Sequence, residues 1–400
     1  MMVSLHETML ENLKEFDGTV DVICCIDVSG SMEGQKLQNV KRSLKYVIDL
    51  LKVSSRLAIV AFSSKVTSVM NFKKTSNQDA KVGKIISALA AGGDTNITAG
   101  MKAVQNLIKN RKDRMNPLSV FVLTDGKHNV GTLDLDSLFA NDDNLTPYVV
   151  NTFGYGDDHD AAVLQSLSEA KGGNYYFVSD VDRIDECFLD CLGITTTAVA
   201  HSGKITVNLK QSEIFPQVRV DRVYGPYMKR LSDKKVEISV PSIYVGMKKD
   251  FIMDIDFEPS SNPVSSTGST HPLANIELSY SASGNKPGRS SFAKDFYISV
   301  VPKEMASTVM KNNNVKANVI RVRGALAIKA ANQKRKDGNP QEAVTMLKFF
   351  LEEINKAVSL ADNPIVCAMK AEISNIITFI KMICSEGKMQ SRVIIISCSK

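Results

Sequence analysis

Short blocks made almost wholly of apolar side chains alternate with helix-patterned segments through the first half of this chain, and that alternation restricts the fold more than any other feature. DVICCID (21–27), RLAIVAF (56–62) and LSVFVLTD (118–125) lack the polar residue at every second position that a strand with one wet face carries. Strands of this kind are covered on both faces. Between the first two lies GQKLQNVKRSLKYVIDLL (34–51), with Leu37, Val40, Leu44, Val47, Ile48 and Leu51 at helical spacing. Further helices are predicted at about 78–90, 97–110, 160–170 and 181–198. Further strands are predicted at 147–156 and 174–180, and VTSVMNF (66–72) reads as a hairpin partner of the second strand. The pattern predicts an α/β domain over 18–198: a doubly wound, mostly parallel, Rossmann-like sheet with helices on both faces. Such sheets bind ligands in the crevice beyond the carboxyl ends of their strands.

The pattern changes near residue 201. KITVNLK, QVRVDRVYG, KVEISV, IYVGMKKDFIMDIDF, ANIELSYSA and FAKDFYISVV are strand-like segments separated by turn residues, which predicts an antiparallel β-sandwich over 199–302. The Ser/Pro/Gly-rich stretch 259–272 is its exposed loop. From 303 to 390 three amphipathic helices are predicted, punctuated by Gly338-Asn339-Pro340 and Asp362-Asn363-Pro364. They would form a C-terminal helical bundle.

Charge separates the two halves. Residues 1–200 hold 20 Lys and Arg against 25 Asp and Glu, and the remainder holds 29 against 18. A basic half can attract acidic partners. No Arg-rich run or aromatic-interleaved basic stripe marks it for nucleic acid, so a solvated basic face is the expectation. The cysteines number seven, with no C-x-x-C pair, which points to buried free thiols in a reducing compartment rather than a zinc site. Cys187 and Cys191, one turn apart, read as a helix face packed on a core. The opening MMVSLHETMLENLKEF is acidic and discontinuous in hydrophobicity, unlike a secretory signal. With no run of about 18 apolar residues, no membrane span is predicted, and the expected location is cytoplasmic.

The chemistry gathers where the strands end. Asp27-Val28-Ser29-Gly30-Ser31 follows the first strand, Gly92-Gly93-Asp94-Thr95-Asn96 precedes a helix, and Leu123-Thr124-Asp125-Gly126 ends the third buried strand. Three loops at one sheet edge thus offer two carboxylates and three hydroxyls. A hard cation such as Mg²⁺ takes oxygen ligands in a near-octahedral shell and keeps waters. Two carboxylates neutralise it, hydroxyls fill its shell without adding charge, and a position remains for an anionic ligand from elsewhere.

These residues resemble the metal-ion-dependent adhesion site of von Willebrand factor A domains, in which the first Asp and two Ser come from one loop, the Thr from a second and the last Asp from a third. The resemblance covers residues 18–198 and implies Asp27, Ser29, Ser31, Thr95 and Asp125 as ligands of one Mg²⁺ or Mn²⁺. It departs at Asp94, where many relatives carry a small residue. More weakly, the later segments resemble intracellular proteins that pair this domain with a β-sandwich and a helical region. Some of those carry a RING finger and act as ubiquitin ligases, whereas this sequence lacks the Cys/His series of a RING. The resemblance implies a non-enzymatic adaptor whose metal coordinates an Asp or Glu of a partner protein. The alternatives are a substrate-binding component of a ubiquitin-ligase system and a structural subunit of a larger assembly.

Each motif also has a plainer reading. Ser31 or Glu33 could cap the helix beginning near Gly34, and Thr95 or Asn96 could cap the next. Asp157-Asp158-His159-Asp160 reads as a solvated cap, and His128 as a surface histidine. An aspartyl-nucleophile phosphatase needs a second Asp two residues after the first, where Ser29 stands. A Mg²⁺-dependent hydrolase needs a general base that the sequence does not identify.

Overall fold

The computed structural model describes residues 1–6, 18–74, 80–112, 114, 116–131, 133–142, 145–156, 158–178, 182–225, 227–258, 270–282, 289–299 and 312–385. The chain opens with a strand, β1 (Met2–His6), that the sequence reading did not anticipate. It then builds β2 (Asp21–Asp27), α1 (Gln35–Leu50), β3 (Arg56–Phe62), β4 (Val66–Lys74), α2 (Ala80–Ala88), α3 (Ile97–Lys109), β5 (Leu118–Thr124), α4 (Leu135–Phe139), β6 (Val149–Tyr155), α5 (Ala161–Glu169), β7 (Tyr175–Val178) and α6 (Asp182–Thr196). The short α4 is likewise an addition to the sequence reading. Strands β2 to β7 form one sheet in the order β4-β3-β2-β5-β6-β7, in which only β4 runs antiparallel.

The central β2 shows why its sequence is apolar throughout. Val22, Cys24 and Ile26 enter one core with Leu37, Val40 and Leu44 of α1 and Phe188 of α6. Ile23 and Cys25 enter the opposite core with Ile97, Met101 and Val104 of α3. All five are fully buried, and burying an apolar side chain of this size stabilises by about 1.5–3 kcal/mol. Burial pushes both thiols up, away from the thiolate form. Cys191 is buried and Cys187 packs at the margin of the same core, as their helical spacing predicts.

The following strands are β8 (Ala198–Leu209), β9 (Gln217–Val223), β10 (Met228–Ser232), β11 (Lys235–Tyr244), β12 (Lys248–Glu258), β13 (Thr270–Ala282) and β14 (Arg289–Ser299). They form antiparallel sheets ordered β1-β12-β9 and β10-β11-β8-β13-β14. Val3, Leu5, Val220 and Phe251 of the first sheet share a core with Val207, Ile238 and Leu278 of the second, so the two pack face to face. The stretch 243–257 is not one strand: the chain turns at Gly246, whose φ of 79° suits glycine, and divides into β11 and β12. β10 was also unforeseen. β1 pairs with β12 from Met2↔Ile252 to His6↔Lys248, and the Met1 ammonium donates to the Met253 carbonyl at 2.7 Å.

Three helices complete the described chain: α7 (Asn313–Lys336), α8 (Pro340–Asn355) and α9 (Pro364–Ser385). Ala317, Ile328, Leu347 and Ile373 meet in their core. Gly338 turns at φ 83°, and Pro340 occupies the first turn of α8, where its missing N–H is harmless. Residues 259–269 of the expected exposed loop, 303–311 and 386–390 lie outside the described residues. No helix among the described residues is long and apolar enough to cross a membrane.

Candidate metal centre

Backbone hydrogen bonds stitch the loops at the carboxyl edge of the parallel sheet into one unit. Val28 N donates to Phe62 O, Gly92 N to Val28 O and Gly30 N to Gly93 O, each at 2.8 Å. Asn129 N donates to Thr95 O at 3.1 Å, and Asp160 N to Asp125 O at 2.8 Å. The loops after β2, before α3, after β5 and after β6 are thereby locked together, and they carry the residues picked out from the sequence.

Asp27 is fully buried at the end of β2. One carboxylate oxygen accepts from Ser29 N at 2.8 Å, and the other accepts from the Thr124 hydroxyl. Burial raises its pKa, the bonds from Thr124 and Ser29 oppose that rise, and the nearby Asp125 charge adds to it. Asp125, also fully buried, lies just beyond β5. Its Oδ2 accepts from Lys36 Nζ at 3.1 Å, and its Oδ1 from Lys127 N at 3.4 Å. Lys36 rises from the first turn of α1 and also reaches Asp158 at 3.0 Å, and Lys127 closes on the other Asp158 oxygen. Lys127 and Lys36 hold the Asp158 carboxyl below its usual range. Burial alone depresses the Lys36 ammonium, yet its bonds to Asp158 and Asp125 outweigh that and raise its pKa.

The donor set suits a hard divalent cation. Of the two buried carboxylates, only Asp125 has an ammonium partner among the described residues, Lys36, which leaves the pair short of positive charge. The Ser29 and Ser31 hydroxyl oxygens stand 3.1 Å apart. Neighbouring corners of an octahedron with metal–oxygen bonds near 2.1 Å lie about 3.0 Å apart, so the two hydroxyls fit one edge of such a shell. Thr95 is almost fully buried, and its backbone N–H donates to Asn129 Oδ1 at 2.7 Å.

The plainer readings fare unevenly. Gly34 is the N-cap of α1 and offers no side-chain bond, so neither Ser31 nor Glu33 caps that helix. Asn96, not Thr95, caps α3 by accepting from Ala99 N at 2.9 Å. Asp160 caps α5 through Val163 N, as expected of the acidic cluster. Asp158 is more than a solvated cap residue, because it bridges two lysines at the site; Asp157 lies outside the described residues. His128 is half-buried, and its Nδ1 accepts from Ile97 N at 3.2 Å, which ties the loop after β5 to the start of α3. The sequence reading missed Thr124, Lys36 and Lys127. Only Thr124 carried a local signal, because it adjoins Asp125 within the motif.

Residues 21–189 match the family model described as the von Willebrand factor type A domain. An uncharacterized protein of Synechocystis, sll0103, is 33% identical over 39% of this chain and 36% of its own length. The E3 ubiquitin-protein ligase WAV3 of Arabidopsis thaliana is 33% identical over 27% of this chain and 15% of its own. The chain thus spans only about a third or less of these relatives. Among solved structures, a von Willebrand factor type A protein from Catenulispora acidiphila superposes with a TM-score of 0.71 at 15% identity, covering 91% of this chain and 82% of that one. Sheet order, two-sided helical cover and the family match agree that residues 21–189 of this chain are a von Willebrand factor type A domain.

Proposed function

We propose that this chain is a protein-binding adaptor whose site at Asp27, Ser29, Ser31, Thr95 and Asp125 holds one Mg²⁺ or Mn²⁺. The observation that carries the reading is the pair of fully buried carboxylates at adjacent strand ends, beside two hydroxyls at octahedral-edge spacing. The bound ion would supply a Lewis-acidic position open to an Asp or Glu of the partner. Asp27 and Asp125 would anchor it, and the Ser29, Ser31 and Thr95 hydroxyls would complete its shell without cancelling its remaining attraction for an anion. Lys36 and Lys127 flank the site with positive charge, which favours an acidic partner.

Binding fits this site better than hydrolysis. A hydrolase needs a base with a free lone pair near the ion. His128 already spends its Nδ1 lone pair on Ile97 N, and burial lowers its pKa. A second reading, substrate capture for a ubiquitin ligase, draws support from the likeness to a relative of that name.

Capture of partner proteins on the immobilised chain should be strong in Mg²⁺ and lost in EDTA, with the circular dichroism spectrum unchanged. The ion sits at the rim of a sheet that has its own cores, and it stabilises the fold only by mass action, about 2.7 kcal/mol at a hundredfold excess over its dissociation constant. Unfolding in EDTA would make the ion structural, and unchanged capture would remove it from recognition.

Lys36 gives a finer test. Its ammonium is 3.1 Å from an Asp125 oxygen and competes with any cation for that group. Lys36→Met should therefore raise Mn²⁺ affinity about tenfold, or about 1.4 kcal/mol, by isothermal titration. Part of the competing interaction is already lost in wild type, because Lys36 can retreat to Asp158. Equal affinities in the two proteins would show that Lys36 leaves the site freely.

A further inference from the structure

A cavity of about 210 Å³ lies at the opposite edge of the parallel sheet, where the starts of β5 and β6 and the end of α6 meet strands β11 and β12. The residues that line it include Tyr176, Tyr227, Tyr244, Asn151 and Thr195, and one charged residue, Lys249. No Asp or Glu lines it among the described residues.

Lys249 is the unusual member. Its ammonium stands 4.4 Å from the centre of the Tyr227 ring and 6.0 Å from that of Phe251. No carboxylate pairs with it among the described residues. Ring faces attract a desolvated cation, but they return less than removing an ammonium from water without a counter-ion costs. Burial accordingly pushes the Lys249 pKa down. The neighbouring Asp250 follows Lys249 directly on β12 and so points to the strand's other face, where it accepts from Ser4 at 2.5 Å. The space is rigidly framed. At Gly173 the backbone passes so close to β6 that a Cβ would lie 1.9 Å from the Val150 carbonyl oxygen.

We propose that this cavity binds a small aromatic carboxylate, with the anionic group on Lys249 and the ring among the tyrosines. The size is adequate, since apolar cavities of about 150 Å³ already admit benzene. The charge is matched by Lys249, and no Asp or Glu is among the described residues that line the cavity. The site is separate from the metal edge by the length of the seven-residue β5, about 20 Å at 3.3 Å per residue.

The test titrates the whole chain with benzoate, benzamide and acetate in EDTA, which silences carboxylate capture at the metal edge. Benzoate should bind at least tenfold more tightly than either of the others, which lack the charge or the ring. Lys249→Met should reduce benzoate to the level of benzamide, and the unliganded variant should melt at or above the wild-type temperature because a poorly compensated charge is gone. Benzoate binding no better than benzamide in wild type, or undiminished in Lys249→Met, overturns the proposal. So does a variant that melts well below wild type, which would make Lys249 a structural cation held by the rings.

Discussion

Replacing Asp27 by Asn should reduce divalent-cation affinity at least about a hundredfold while leaving the α/β sheet folded. Loss of groups that only support metal ligands already costs 10–100-fold, and Asp27 would be one of two charged ligands. The asparagine keeps the shape and can still accept from Ser29 N, which Asp27 does at 2.8 Å. The charge it removes is poorly accommodated without a cation, since the carboxylate is fully buried and faces Asp125. The sign of the linkage follows from the raised pKa. A carboxyl that binds its proton more tightly when folded favours the native state below its ordinary value of 3.8, and that contribution is lost as pH rises through the folded pKa. At neutral pH the ionised group therefore opposes folding of the metal-free protein, so Asp27→Asn should be at least as stable as wild type in EDTA. Urea unfolding in EDTA and titration with Mn²⁺ measure the two effects separately. Retained affinity would displace Asp27 from the site. A large loss of stability with EDTA present would mean that the carboxylate holds the loops by itself.

The sequence showed the sheet clearly because two-sided burial writes itself locally: the middles of β2, β3 and β5, Val22 to Ile26, Leu57 to Phe62 and Val120 to Leu123, are apolar without a break. It showed the motif for the same reason, since Asp27, Ser29 and Ser31 lie within five residues, Thr95 lies two residues after Gly93 just before a helix, and Asp125 precedes Gly126 at a strand end. What it hid depends on distance. Lys36 meets Asp125 across 89 residues and Asp158 across 122, and a lysine on an amphipathic helix is indistinguishable from any solvated one. β1 is five residues long and acquires meaning only from a partner strand near residue 250. The division at Gly246 was readable in principle, because Val-Gly-Met interrupts the run, yet apolar neighbours on both sides masked the turn.

The other end of β2 should govern stability as its carboxyl end governs the ion. Asp21 is fully buried, and its carboxylate receives Arg56 Nε at 2.9 Å, Arg111 Nη2 at 2.6 Å and Asn116 Nδ2 at 3.1 Å. The Arg111 side chain is itself fully buried, and both guanidinium groups stack within 6 Å of the Phe72 ring. Removing one member of a buried charge cluster leaves the others desolvated and uncompensated, at a cost of about 3–5 kcal/mol. An exposed pair such as Lys356–Glu353 contributes little, because solvent screens it. Asp21→Asn should therefore lower the unfolding free energy by about 3–5 kcal/mol in urea titrations, with the slope unchanged if unfolding stays two-state. Glu353→Gln should leave it essentially unchanged. Asp21 and Asp27 are six residues apart on a single rigid strand, so the folded fraction of Asp21→Asn should bind Mn²⁺ with wild-type affinity. A loss below about 1 kcal/mol would mean that Arg56 and Arg111 find other partners or reach water. A weakened ion site in the folded fraction would instead mean that the cluster positions the loop after β2.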